Sequence, residues 1–266
     1  MARKKQLIIP IFIPHYGCPH QCIFCNQTNI TGKERLPDTT EVANTIGDYL
    51  KTWKGGGRKE VAFYGGSFTG LGMDIQERFL KTAFKFIDYG LIHSIRISTR
   101  PDYITKQGLM FLKNYNVETV ELGVQSMDDE VLKLSGRGHT AEDTKEAVML
   151  LKRYGFKVGL QFMPGLPGDT EEIVLCTANK IAELEPDFVR IYPTIVVKDT
   201  PLEKMYMSGL YNPWPLTKMV DVCKKLVSLF NAKEIPIIRL GLQATEILEQ
   251  SIVAGPYHPS FRGLVV

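Results

Sequence analysis

The 266-residue sequence predicts one α/β domain built on a parallel sheet. Three observations predict it. Short apolar runs alternate with helical patterns along almost the whole chain, no composition break or low-complexity tract divides it, and the unusual segments all follow apolar runs. Periodicity leaves two architectures open: a doubly wound open sheet, or a barrel, complete or incomplete.

Residues 7–13 read as the first strand. Asp38-Thr39-Thr40-Glu41 has the spacing of a capping box, and Val42, Ala43, Ile46, Tyr49 and Leu50 follow at helical intervals. After the Gly55-Gly56-Gly57 loop, residues 60–64 are the second strand. Asp74 to Glu77 then caps a helix carrying Phe79, Leu80, Ala83, Phe84 and Ile87. The third strand is 93–98, with a helix around 109–114, and the fourth is 120–124. Thr140 to Asp143 starts a long helix that Gly155 ends. Residues 157–163 are the fifth strand, Asp169 begins a helix to Leu184, and residues 188–192 are the sixth strand.

In both architectures ligands sit at the carboxyl ends of the strands. Strand one runs into a cysteine loop, and strand two into Gly65-Gly66-Ser67. Strand three ends at Ser98-Thr99-Arg100-Pro101 and strand four at Gln125-Ser126. Strand five ends near Gln161 and Pro164 to Gly168, and strand six at Tyr192-Pro193-Thr194. That convergence marks one functional end.

Composition narrows the function classes. Hydrophobic content of 44% and charged content of 23% are globular values, and no apolar run approaches the ~20 residues of a membrane helix. The basic start, Arg3-Lys4-Lys5, leads into a strand rather than a secretory signal. Net charge of +3 is no nucleic-acid signature, and Lys51, Lys54, Arg58 and Lys59 read as solvated surface. Five cysteines, three of them within eight residues, suggest a cytoplasmic protein with a thiolate metal site rather than a disulfide framework.

Cys18, Cys22 and Cys25 can point at one centre without long-range folding. Zinc would want a fourth protein ligand, for which His15 or His20 is at hand. A [4Fe–4S] cluster normally takes four thiolates, so three would leave one iron open. Cys176 and Cys223 read as packing residues; Cys223 shares a helical stripe with Val220, Val227 and Phe230. The nine methionines read as core filler.

The Cys18-x3-Cys22-x-Phe24-Cys25 pattern after a first strand resembles the radical S-adenosylmethionine superfamily. The resemblance implies a partial (β/α)6 TIM-like barrel with two cofactors, a [4Fe–4S] cluster and S-adenosylmethionine. Three cysteines hold three irons there, and the amino and carboxylate groups of S-adenosylmethionine chelate the fourth. Phe24 would pack near the adenine. Gly65-Gly66-Ser67 resembles the family's glycine motif, which meets the methionine amino group through its backbone, although Ser67 stands where Glu is usual.

Leu122 to Glu130 and Gly136 to Thr140 resemble a stretch shared by oxygen-independent coproporphyrinogen oxidases and the Elongator catalytic subunit. It implies that Gln125 and Arg137 contact S-adenosylmethionine. A guanidinium suits a carboxylate, because its fork allows paired hydrogen bonds. Gln161 stands where the oxidases carry Asp, which implies a ribose- or sulfonium-side role. Phe188 to Leu202, continued by Gly209-Leu210-Tyr211, resembles the Elongator subunit more closely.

The likeness spans about residues 7–245, so 1–245 is expected to be the radical barrel. Residues 246–266 are expected to be a C-terminal extension, reading as a chain cut within a structured region. The 266 residues hold no room for the Elongator subunit's acetyltransferase domain. A different modification, or a separate partner protein, is therefore expected.

The function implied is one-electron cleavage of S-adenosylmethionine to a 5′-deoxyadenosyl radical that abstracts hydrogen from a tRNA or other RNA substrate. The electron would come from a flavodoxin- or ferredoxin-type donor, in the cytoplasm and without a membrane. No residue stands out as a general acid or base. Two alternatives remain at this point: the same chemistry on a tetrapyrrole or peptide, and a zinc-stabilised RNA-binding barrel without redox chemistry.

Overall fold

In the computed structural model, residues 6–14, 16–18, 22–26 and 35–266 are described. Seven parallel strands form one sheet, in the order of the chain: β1 (Leu7–Ile13), β2 (Lys59–Gly65), β3 (Ser94–Thr99), β4 (Val117–Gln125), β5 (Lys157–Phe162), β6 (Phe188–Ile191) and β8 (Ile237–Leu240). Doubly wound sheets reverse strand order at a switch point. No reversal occurs here, which decides for the partial barrel. A seventh strand joins the expected six, and β7 (Val196–Val197) pairs antiparallel with β9 (Ile252–Ala254) beside the main sheet.

The sheet curls. Arg190 on β6 donates to the Tyr64 hydroxyl on β2 at 2.9 Å, although three strands separate them. Flat, those strands would lie about 19 Å apart at 4.8 Å per strand, so the contact needs a concave face. Pro10, which has no N–H to donate, is tolerated because β1 is an edge strand.

Alternate residues of each strand face outward into the core. Ile9, Ile11, Val61, Phe63, Ile95, Ile97, Val120, Leu122, Val158 and Leu160 are buried there under amphipathic helices. The helices are α1 (Thr39–Thr52), α2 (Met73–Asp88), α3 (Lys106–Asn114), α4 (Asp129–Leu134), α5 (Ala141–Arg153), α6 (Glu171–Glu183), α7 (Pro201–Met207), α8 (Leu216–Ala232), α9 (Glu246–Ser251) and α10 (Phe261–Val265). Phe261 reaches the main core.

Local signals explain the helix ends. The Asp38–Glu41 and Thr140–Asp143 capping boxes both form, and Gly155 follows α5 with φ of +70°. Two expected caps move. Gly72 precedes α2, leaving Asp74 in its first turn, and Thr170 caps α6. Asp169 instead accepts the Gly165 and Leu166 N–H groups at 2.9 Å each, which fixes the Pro164–Gly168 loop.

Cys223 is buried on α8 as expected, but Cys176 is exposed on α6. Its helix buries Val174, Thr177, Ala178 and Ile181, and position 176 falls on the other face. Met127 and Met219 fill the core, whereas Met73, Met110, Met149 and Met207 are more than half exposed on outer helix faces. Arg58 keeps 38% of its side chain exposed while also pairing with Glu60 and Glu118. Arg3, Lys4, Lys5, His15 and His20 lie outside the described residues. Among the described residues, no helix is long and apolar enough to cross a membrane.

Candidate active site

The cysteine loop leaves the carboxyl end of β1 and is clamped on two sides. The Ile23 N–H donates to Ser135 O at 3.2 Å, and Ile23 O accepts the Leu202 N–H at 2.9 Å. Ile23 and Phe24 pack on Val196, Leu202 and Tyr211. Phe24 therefore lies on the side of β7 and α7.

The glycine loop after β2 lies backbone-to-backbone on the cysteine loop. A Cβ on Gly66 would sit 2.2 Å from Tyr16 O, and one on Gly17 would sit 2.1 Å from Ser67 O. Real Cβ atoms do not approach that closely, so glycine is needed at both positions. The Gly66 N–H also donates to Ile13 O, at 2.5 Å. Cys18 Sγ lies 3.5 Å from Ser67 Oγ as a result. Gly65, with φ of +104°, makes the turn.

The end of β4 supplies the opposite wall. A register shift between Gly123 and Gln125 lets Gln125 adopt φ of +68°, uncommon for a non-glycine residue. Its amide pairs reciprocally with that of Gln161 on β5, at 3.1 and 2.8 Å.

Arg137 connects the walls. Held between Gly136 and Gly138, both at positive φ, it donates from Nη1 to Cys22 Sγ at 3.1 Å and from Nη2 to Gly123 O at 2.5 Å. Its Nε is buried without a partner. Arg100, paired with Asp102 in a fork, donates to the Arg137 carbonyl. Nearby His139 has Nε2 3.2 Å from Val124 O, while Nδ1 is buried without a partner. Burial, then the charges of Arg137 and Arg100, push the His139 imidazole down to about 3, so the ring is neutral near pH 7.

Below this rim an ion-pair ladder crosses the concave face. Arg96 reaches Glu60 at 2.8 Å and Glu121 at 2.7 Å, and Arg190 reaches Glu121 at 2.6 Å. Burial alone would raise the Glu60 carboxyl. The Arg96 charge and hydrogen bonds from Arg96, Ser94 and Arg58 outweigh it and hold Glu60 below its ordinary range. Burial, then Glu121 beside it, push the Tyr64 phenol up, so Tyr64 stays protonated.

Thus Cys18 meets Ser67, Cys22 meets Arg137, and Gln125 meets Gln161, while Phe24 packs to one side. Among the described residues, no three His, Cys, Asp or Glu side chains are gathered into a ready-made metal site. Arg100 and the ladder were not foreseen. A signal existed: Glu60, Arg96, Glu121 and Arg190 are charged residues that alternate with buried aliphatic ones within their strands.

Comparison with known proteins decides the family. Residues 12–181 match the Radical SAM superfamily and residues 186–266 the Radical_SAM C-terminal domain. The chain belongs to the radical SAM superfamily. A tRNA uridine(34) acetyltransferase of Dehalococcoides mccartyi is 28% identical over 90% of this chain and 58% of its own length. Elongator complex protein 3 of Homo sapiens is 34% identical over 51% of this chain and 25% of its own. The chain spans about half the length of the curated relatives it matches.

Among solved radical SAM folds, the Elp3 of archaeal Methanocaldococcus infernus superposes with a TM-score of 0.78 at 24% identity, covering 98% of this chain and 62% of that one. Coproporphyrinogen III oxidase from Escherichia coli gives 0.63 at 19%, covering 87% and 53%. Radical SAM enzymes use a [4Fe–4S] cluster and S-adenosylmethionine. The donor set here fits them: three thiols come from one loop, and the buried guanidinium of Arg137, which has no carboxylate pair among the described residues, already touches one of those sulfurs.

Proposed function

We propose that this radical SAM enzyme modifies RNA, with tRNA as its substrate class. In this reading Cys18, Cys22 and Cys25 hold three irons of the cluster. The Gly65-Gly66-Ser67 backbone meets the methionine amino group, and Arg137 meets the carboxylate. Gln125 and Gln161 face the ribose or sulfonium, and Phe24 lies against the adenine. Together the bound cofactors supply carbon-radical chemistry, hydrogen abstraction from positions too inert for acid–base catalysis. The protein orients both cofactors and keeps water from the rim.

One observation carries the cofactor assignment: Arg137 is 6% exposed, lies 3.1 Å from Cys22 Sγ, and has no carboxylate partner among the described residues. A buried guanidinium costs several kcal/mol unless an anion meets it. A thiolate on one side and a ligand carboxylate on the other satisfy that need. The RNA substrate is supported by the tRNA-modifying relatives, and it implies a cytoplasmic site of action. A flavodoxin- or ferredoxin-type donor would supply the electron, and a separate partner protein is compatible with the reading.

Anaerobic reconstitution with iron and sulfide tests it. The holoprotein should turn brown, release 5′-deoxyadenosine slowly after reduction, and bind labelled tRNA with an affinity that falls as salt rises. An intact cluster with no tRNA binding at low salt would shift the substrate to a small molecule, such as a tetrapyrrole or peptide.

A further inference from the structure

Above the ladder, the concave face ends in a layer of partly exposed positions: Phe12, Tyr64, Ser98, Gly123, Gln161 and Tyr192. Each shares the strand parity of the ladder residues and so faces the same side. Three are aromatic. Phe12 and Tyr64 lie opposite each other in the β1–β2 register, with ring centroids 6.5 Å apart. The Arg190 guanidinium carbon lies 5.3 Å from the Tyr64 ring centre.

Arg190 also organises both phenols. It donates from Nη2 to Tyr64 Oη at 2.9 Å and from Nη1 to Tyr192 Oη at 3.2 Å. Each phenol has one proton to give. Tyr64 directs its proton at Glu121 Oε1, at 3.2 Å. Tyr192 accepts from Arg190, and no acceptor for its own proton is found among the described residues. A hydroxyl that accepts from a cation is polarised and becomes a stronger donor. The mouth therefore offers an aromatic wall, with Phe12 37% exposed, and one uncommitted phenolic donor.

The charge beneath the wall is matched. Glu60 and Glu121 face Arg96 and Arg190, so the ladder leaves no net positive charge for a phosphate. A flat, neutral ring bearing a carbonyl fits this better. We propose that the Phe12, Tyr64 and Tyr192 side of this layer is a nucleobase pocket, where a pyrimidine unstacked from RNA lies against Phe12 and Tyr64. Tyr192 Oη donates to one of its ring carbonyls, and Arg190 is the positioning residue that aims the phenol. Stacking on aromatic side chains with hydrogen bonds to base edges is how single-stranded RNA bases are read. The pocket rests on the RNA reading above and adds the residues that read the base.

The test titrates holoprotein with a labelled RNA stem-loop carrying uridine at the loop tip, against the same loop made abasic there. Wild-type protein should prefer the uridine loop about tenfold, within the range one stacked base contributes. Phe12→Ala should reduce that preference to about twofold or less. Tyr192→Phe should weaken the uridine loop roughly fivefold, as for one lost hydrogen bond, and leave the abasic loop unchanged. Misfolding would weaken both loops alike, so the preference ratio isolates the pocket. Equal wild-type binding of both loops overturns the pocket while RNA binding stands. A full preference in both variants overturns the residue assignment, and no binding of either loop overturns the RNA reading and the pocket with it.

Discussion

Arg96 and Arg137 are equally buried, at 6% exposure each, yet their surroundings differ in kind. Each has a buried Nε without a hydrogen-bond partner, but Arg96 lies between two carboxylates at 2.7 and 2.8 Å, while Arg137 has only a cysteine sulfur and a main-chain carbonyl. The ladder is a closed account of charge across β2, β3, β4 and β6 that ties the curled sheet together. The rim is left open. On the reading proposed above, the difference separates groups that hold the fold from groups that meet a ligand, although both are charged, buried and on the same side of the sheet.

Breaking the rim at its thiols should have the largest effect. Cys18→Ala, Cys22→Ala and Cys25→Ala should each lose the cluster after reconstitution, measured as bound iron and as visible absorption. Cys223→Ala, in the α8 core, and Cys176→Ala, on the surface, should keep it. Full iron content in Cys22→Ala would end the assignment.

Breaking the ladder should instead cost stability. Glu121→Gln strips the carboxylate from two arginines at once, and removing one partner of a buried pair costs about 3–5 kcal/mol. Urea unfolding measures it. Arg137→Ala in the cofactor-free protein should cost far less, because it removes a buried charge that lacks an ion pair. Equal losses in the two variants would erase the distinction between ladder and rim.

Ligand binding should reverse that ranking. Arg137→Ala removes a charge-assisted contact worth about 1.5–3 kcal/mol, so S-adenosylmethionine affinity for the reduced holoprotein should fall roughly ten- to hundredfold. Calorimetric titration under anaerobic conditions reads it directly. An affinity within about twofold of wild type would make Arg137 a structural residue.

The same contrast explains what was legible in the sequence. Strands β1 to β6 and the capping boxes announce themselves through local periodicity, and the cysteine loop through spacing on one segment. The choice of a partial barrel over a doubly wound sheet is set by strand order, which periodicity does not encode. Arg100 and Arg190 were hidden for another reason. Arg190 acts on Tyr64, 126 positions away, and Arg100 on the carbonyl of Arg137, so their roles exist only once the sheet has curled. The helix start expected at Asp169 moves to Thr170 because the Asp169 carboxylate turns back to the Gly165 and Leu166 amides, a local rival that a helix-start residue alone does not reveal.

Two rim groups give the smallest effect, because they oppose each other. Burial, then the charges of Arg137 and Arg100, lower His139 from 6.5 to about 3. Between those values the unfolded chain binds a proton that the folded one does not, so this term loses stability as pH falls through 6.5. Burial raises Asp169 from 3.8 to about 7, against the hydrogen bonds from Leu166 and Gly165. Here the folded chain binds the extra proton, and stability is lost as pH rises from 3.8 towards 7. From about pH 4 to 6.5 the two slopes oppose each other, each being at most about 1.4 kcal/mol per pH unit. Wild-type stability from urea unfolding should therefore be nearly level across that window. His139→Gln should expose a slope that falls with rising pH, and Asp169→Asn one that falls with falling pH. Glu60, held low by Arg96 in the ladder, should add its own loss only below its ordinary range, near pH 4.5. If both variants keep the level profile, neither rim group titrates as its surroundings require, and the rim is as closed as the ladder.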